Sequence, residues 1–186
     1  MYEQIVFSGF GGQGIQSMSK MLARCAMAAG LQVSWMPAYG GAMRGGTSNV
    51  TVIVSDEEIA SPMPCAGEVT AAVVMNNPSL VKFESYLRPG GLLLLNRSLI
   101  DLRPVRGDVE VLAVPANGLA EELGNARATN MIMLGCLLAR TGMVPSQVME
   151  GMIGEFFAAK ERLIPLNREA FALGVRFVKE GGGRDL

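Results

Sequence analysis

Residues 6–16 read VFSGFGGQGIQ, with glycine at 9, 11, 12 and 14 between an apolar run and a helix-like one. Ile5, Val6 and Phe7 are β-forming residues. From Ile15 onward Met18, Met21, Leu22, Cys25, Ala26 and Ala29 recur at helical spacing until Gly30 stops the run. The stretch is therefore expected to join a strand to a helix. Its spacing Gly9-x-Gly11-x-x-Gly14 satisfies the dinucleotide-binding pattern, in which glycines allow a tight turn and let a phosphate approach the helix N-terminus. Glycine serves ligand-free tight turns equally well, so a purely structural loop stays open at this point.

The following segment departs from a dinucleotide-binding half. Leu31 to Met36 is expected to be a second strand, yet the acid that would hold ribose hydroxyls about 20 residues past the glycines is missing. Pro37 and glycines 40, 41, 45 and 46 leave no room for a crossover helix before a strand over Thr47 to Ser55, where Val50, Val52 and Val54 alternate with Thr51 and Ile53. NAD becomes a minor candidate. Further on, VTAAVVMN reads as a buried strand and Pro78 to Tyr86 as a short helix. Pro89-Gly90-Gly91 reads as a turn into a strand at Leu92 to Leu95, and Val109 to Val114 as another strand. The chain is helical in pattern from Ala116. Met131 to Ala139 is apolar all round, as a central or interface helix would be. The last helix places Leu166, Ala170, Leu173, Gly174 and Phe177 on one face, and glycines 181–183 are expected to release a tail. The expected fold class is α/β: a Rossmann-like, three-layer single domain over residues 1–180, with a mixed, mainly parallel sheet, a Gly-rich loop after strand 1 and a flexible tail at 181–186.

Composition narrows the chemistry. There is no histidine, which removes the commonest neutral-pH general base and the usual nitrogen metal ligand. Cys25, Cys65 and Cys136 are scattered, too few for a four-thiolate cluster or zinc site, and are expected to be buried reduced thiols. No metal site and no catalytic residue are expected on this chain. The longest apolar run, 131–139, is too short for a bilayer, which takes about 20 residues. The start, MYEQIVFSGF, lacks the features of a signal peptide, so a cytoplasmic, non-membrane protein is expected. Between Glu3 and Asp56 there is no acid, while Lys20, Arg24 and Arg44 fall inside that window and set the glycine loop in a positive field. No basic cluster is interleaved with aromatics, which argues against nucleic acid. At 49% apolar and 18% charged residues, the chain is expected to carry surface made for protein partners and to self-associate, as a homodimer for example, when isolated.

A second glycine-rich stretch, PAYGGAMRGGTSN, offers Arg44 among Gly40, Gly41, Gly45 and Gly46, with Tyr39 at its start. Arg44 is a cation whose bare surroundings let a bulky anion approach, and Tyr39 has a stacking face and a hydroxyl. A tight loop with Arg44 capping a helix or making a salt bridge is the structural alternative.

GFGGQGI, YGGAMRGG, DEEIASP, MNNPSLVKFESYLRPGGLLLLN and ELGNARATNMIMLGCLLARTG, in that order from about Tyr2 to Leu173, closely resemble the gamma subunit of 2-oxoacid:ferredoxin oxidoreductases. The resemblance is strongest to the 2-oxoglutarate enzyme, with the pyruvate, branched-chain and indolepyruvate enzymes as near relatives. It implies a chain that works in a complex with alpha and beta, and in some cases delta, subunits, which carry thiamine diphosphate and iron–sulfur clusters. Such an assembly converts a 2-oxoacid and coenzyme A to acyl-CoA and CO2 and reduces ferredoxin. Carried over onto this sequence, the cofactor-binding candidates are Gly9, Gly11, Gly12, Gln13 and Gly14, with Tyr39, Arg44, Gly45 and Gly46 from the second loop. A coenzyme A phosphate is expected on the amides of Gly12 to Gly14, with Arg44 as counter-charge. The sequence differs from the family pattern at Ala42, where an acid is common, and at Gly41, where proline is more usual. Two other classes stand beside this one. A free nucleotide-binding module would need a ribose-binding acid or a Gly-Lys-Ser/Thr, and the sequence has neither. A structural assembly subunit would use the glycines for close packing alone.

Overall fold

The computed structural model describes residues 1–39 and 47–183. Six strands form one sheet: β1 (Tyr2–Phe10), β2 (Gln32–Tyr39), β3 (Thr47–Ser55), β4 (Val69–Val74), β5 (Leu87–Asn96) and β6 (Glu110–Val114), in the spatial order β2-β3-β1-β4-β5-β6. β1, β4, β5 and β6 run parallel, and β3 is antiparallel to both β1 and β2. The sheet is thus mixed and mainly parallel, as the sequence led one to expect.

Alternation within the strands divides the interior in two. Ile5, Phe7, Val50, Val52, Val54, Val73 and Leu94 face the larger core, formed with α1 (Ile15–Ala28), α3 (Ala116–Glu122), α4 (Thr129–Thr141), α5 (Ser146–Phe156) and α6 (Ile164–Lys179). Val6, Ala72, Val74, Leu93 and Leu95 face the opposite way, against Leu80 and Phe83 of α2 (Asn77–Phe83) and Ile100. Strands buried on both faces read as continuous apolar runs, which is why β4 carries no polar alternation.

Four local readings of the sequence are corrected. β2 continues through Pro37 to Tyr39, because it is the edge strand and Pro37 needs no ladder donor on its open side. Pro89-Gly90-Gly91 is no turn before a strand. It is a bulge inside β5, where Val69 and Ala71 of β4 pair with Leu87 and Leu92, and Gly90 takes up the excess chain at φ 73°. Cys65 is exposed, whereas Cys25 and Cys136 are buried as expected. Glycines 181–183, expected to start the tail, are tied to the sheet edge, since the Ala113 N–H donates to the Gly183 carbonyl (2.9 Å).

α4 is apolar all round because it lies at the centre of the larger core, with Met131 to Leu138 all buried. It crosses α6 so closely that a Cβ on Gly135 would run into the Phe171 carbonyl, and one on Gly174 into the Ile132 carbonyl. Gly151, inside α5, has open space around it. Gly174→Ala is expected to lower stability by about 2–3 kcal/mol through overpacking, and Gly151→Ala to raise it by about 0.5–1 kcal/mol through helix propensity. Urea denaturation of the two variants measures both.

Candidate functional site

The chain leaves β1 through α1 and β2–β3 on one side, then crosses to β4 on the other, so the sheet changes direction between β1 and β4. Open α/β sheets bind ligands at such a switch point, beyond the carboxyl ends of the strands. The glycine loop lies there.

Each glycine of the loop answers a different demand. Gly9 is buried at the end of β1, where a Cβ would meet the Met75 Cβ at 2.8 Å and the Ile15 Cδ1 at 2.9 Å. Gly12 and Gly14 sit at φ 92° and 77°, a region that side chains disfavour. Gly14 also packs against Asn130, whose Nδ2 would lie 2.8 Å from an added Cβ. Gly11 is exposed, with nothing near it. Gln13 fixes the turn: its Oε1 accepts from the Phe10 N–H (2.6 Å) and its Nε2 donates to the Met75 carbonyl (3.1 Å), tying the loop to the end of β4. Both ends of the Gln13 amide are thereby engaged with backbone.

Gly12, Gln13 and Gly14 line a cavity of about 480 Å³ together with Asn117, Arg127 and Asn130. Arg127 is exposed and makes no ion pair among the described residues. Asn117 is oriented from below. Buried Asn96 donates to its Oδ1 (2.8 Å), which leaves the Asn117 NH2 for the cavity, and the Asn96 Oδ1 is held by the Ser98 N–H (3.2 Å). Among the described residues no carboxylate lines the cavity. α1 begins at Gly14 with no side-chain cap and no acid in its first turn, so its positive end is uncompensated. A bare, donor-lined hollow at a helix N-terminus, with a free guanidinium in its lining, is suited to a phosphate or carboxylate.

The sequence candidates fall into three groups. Gly12, Gln13 and Gly14 line the cavity together, and Gly11, Gly12 and Gly14 also line a second hollow of about 320 Å³ toward Ser17 and Ser48. Gly9 lies behind both as a packing position. Arg44, Gly45 and Gly46 lie outside the described residues, and Tyr39 is placed by its backbone, paired with Ser48. Because Gly9 also pairs with Ser48, the strand register brings the ends of both glycine-rich stretches side by side. Lys20 and Arg24, expected to contribute a positive field, stack instead on Trp35 (5.1 Å) and Phe156 (5.8 Å). Arg127, Asn117 and Asn130 were not singled out from the sequence. The signal available was GNARATN, a helix start whose Asn125 side chain accepts from the Arg127 N–H.

Among the described residues no group of three or more histidine, cysteine, aspartate or glutamate side chains could hold a metal. Burial pushes the Cys25 and Cys136 thiols up to about 12, away from ligating thiolates. No helix among the described residues is long and apolar enough to cross a membrane.

Residues 4–177 match the family described as pyruvate ferredoxin/flavodoxin oxidoreductase. The chain belongs to this family. It is 36% identical over 179 residues to the ketoisovalerate oxidoreductase subunit VorA of Methanothermobacter thermautotrophicus, covering 95% of this chain and 36% of that protein. It therefore spans about a third of that relative's length. Against the 2-oxoglutarate synthase subunit KorC of Methanothermobacter marburgensis it is 30% identical over 192 residues, covering 97% of this chain and 99% of that one. The crystal structure of the keto/oxoacid ferredoxin oxidoreductase gamma subunit from Geobacter sulfurreducens superposes with a TM-score of 0.83 at 28% identity, covering 96% of this chain and 99% of that chain. The match thus runs over nearly the whole of KorC and over one segment of the longer VorA.

Gln13→Ala removes the tie between the loop and β4. It is expected to lower stability by about 1 kcal/mol and to speed hydrogen exchange at the Phe10 amide, read by mass spectrometry of a peptide spanning residues 6–14. In native protein at roughly pH 8 a maleimide should label Cys65 and spare the two buried thiols, with all three labelled in denaturant. Their raised pKa values also mean that stability is full below the ordinary thiol value of 9.0 and declines as pH rises toward about 12, because the unfolded chain ionises first.

Proposed function

We propose that this chain is the gamma subunit of a multi-subunit 2-oxoacid:ferredoxin oxidoreductase and that it forms the coenzyme A side of the active site. The observation that carries this reading is the cavity at the β1–β4 switch point, where the glycine-loop backbone, Arg127 and two free amides converge and no carboxylate among the described residues intrudes. The donor set fits a phosphate of coenzyme A. The amides of Gly12 to Gly14 and the positive end of α1 receive it, Arg127 supplies the opposite charge, and Asn117 and Asn130 donate from the flank.

The reaction assigned to the whole complex is oxidative decarboxylation of a 2-oxoacid with coenzyme A to acyl-CoA and CO2, with ferredoxin reduced. Thiamine diphosphate and iron–sulfur clusters belong to the partner subunits in this reading, since three cysteines, two of them buried, fall short of a four-thiolate cluster. The relatives are named for ketoisovalerate and for 2-oxoglutarate, and in this reading selection of the oxoacid falls to other subunits. Exposed Val81 (69%), Leu102 (44%) and Val105 (89%), on the side of the sheet covered by the single helix α2, supply apolar surface for those partners. A cytoplasmic location accords with the three free thiols.

The test is to recover the tagged chain from its native host and assay coenzyme A-dependent reduction of a viologen dye with 2-oxoglutarate, pyruvate and 2-oxoisovalerate. Activity accompanied by iron–sulfur absorbance from partner chains is the expected result and names the oxoacid. A colourless, inactive chain recovered alone contradicts it. In the active complex Arg127→Ala is expected to raise the KM for coenzyme A about tenfold or more. Arg44→Ala, assayed alongside, reports whether the second loop adds a further counter-charge.

A further inference from the structure

We propose that the cleft formed by Phe156, Phe157 and Lys160 receives the 3′-phosphoadenosine end of the same coenzyme A, an inference that rests on the reading above. Three hollows succeed one another around the amino end of α1, each sharing a wall with the next. The 480 Å³ cavity shares Gly12 and Gly14 with the 320 Å³ hollow, and the latter shares Ser17 with a cleft of about 310 Å³ lined by Phe156, Phe157 and Lys160. A ligand held by a phosphate at the glycine loop and too long for one hollow has this path along the protein surface.

The chemistry of the far cleft matches the nucleoside end. Phe156 and Phe157 meet edge to face, with centroids 5.2 Å apart at 71°; Arg24 lies over the Phe156 ring (5.8 Å), and a purine can pack against the aromatic surface that Phe157 and the remaining edge of Phe156 turn to the cleft. The chain breaks from helical geometry at Lys160 (φ −142°, ψ 56°), directly after the Phe157 carbonyl accepts from the Lys160 N–H at 2.7 Å. This break places Lys160 on the rim of the cleft. Lys160 is exposed and forms no ion pair among the described residues. Glu155 and Glu161 flank the segment along the chain but do not line the cleft. An aromatic pocket with one free ammonium at its rim recognises a flat base bearing a nearby phosphate dianion, and coenzyme A carries that phosphate on its ribose. Arg127 and Lys160 then stand at opposite ends of one path, the first on the shared phosphate chain and the second on the 3′-phosphate.

Dephospho-coenzyme A keeps the thiol, the pyrophosphate and the adenine and lacks the 3′-phosphate, so it separates the two ends. In the complex recovered with the tagged chain, the KM for each thiol is measured in the wild type and in Lys160→Ala, Lys160→Arg and Arg127→Ala. The wild type is expected to show a KM about tenfold lower for coenzyme A than for dephospho-coenzyme A. Lys160→Ala should bring that ratio to near one, Lys160→Arg should keep most of it, and Arg127→Ala should raise both KM values while preserving the ratio. A ratio unmoved by Lys160→Ala, with both KM values raised by Arg127→Ala, overturns the nucleoside assignment and leaves the phosphate reading standing. If Arg127→Ala also leaves both KM values in place, the phosphate reading itself fails, and this inference with it.

Discussion

Where β1 ends, β4 and the start of α1 come so close that Gly9 has no room for a side chain, and the Gln13 amide fills the remaining space by bridging Phe10 to Met75. This contact sets how the chain turns out of the sheet. It fixes the loop at Gly12 and Gly14 in a backbone region that side chains disfavour, and it aims the amino end of α1 across the crevice between β1 and β4. The loop can stay bare because Gln13, one residue outside the exposed turn, provides its rigidity. A loop held in this way loses little further entropy when an anion settles on its amides.

The remainder of the sheet makes that crevice a binding place. After β1 the chain packs α1 on one face of the sheet, and after β4 it packs α2 on the other, so the two connections part on opposite sides and open a crevice between the strand ends. Around the same cavity, α3 contributes Asn117, the 3-10 turn before α4 contributes Arg127, and the first turn of α4 contributes Asn130. Asn96, buried under the site, orients Asn117 through a single hydrogen bond, a small instance of core polarity serving the surface. The described residues around the cavity supply hydrogen-bond donors and one positive charge, the complement that an anionic group requires.

Much of this was legible in the sequence where a local rule had no competitor. The alternation of Val50, Val52 and Val54, the apolar run at 131–139 and the strand–glycine–helix junction at residues 6–16 each follow from side-chain period and glycine freedom alone. The misread elements were decided by neighbours. Pro37 is acceptable because β2 is an edge, and Pro89-Gly90-Gly91 is absorbed as a bulge because β4 holds both flanks of it in register. Of the cavity lining, Gly12, Gln13 and Gly14 stand in the glycine motif itself, while Gly9 and the Gln13 side chain serve packing and bracing. The rest of the lining was not readable. Arg127 is one of sixteen basic residues, and only the docking of α4 under the glycine loop distinguishes it. The charge-poor window around Lys20 and Arg24 suggested the right sign of field, but those cations are spent on Trp35 and Phe156.

The central claim is that a phosphate of coenzyme A rests on the glycine loop and on Arg127. A crystal structure of the complex with coenzyme A tests this most directly. The account predicts phosphate density within hydrogen-bonding distance of the Gly12 to Gly14 amides and of the Arg127 guanidinium. Well-ordered coenzyme A bound wholly on other subunits, with the cavity at the β1–β4 switch point filled by solvent, would contradict it.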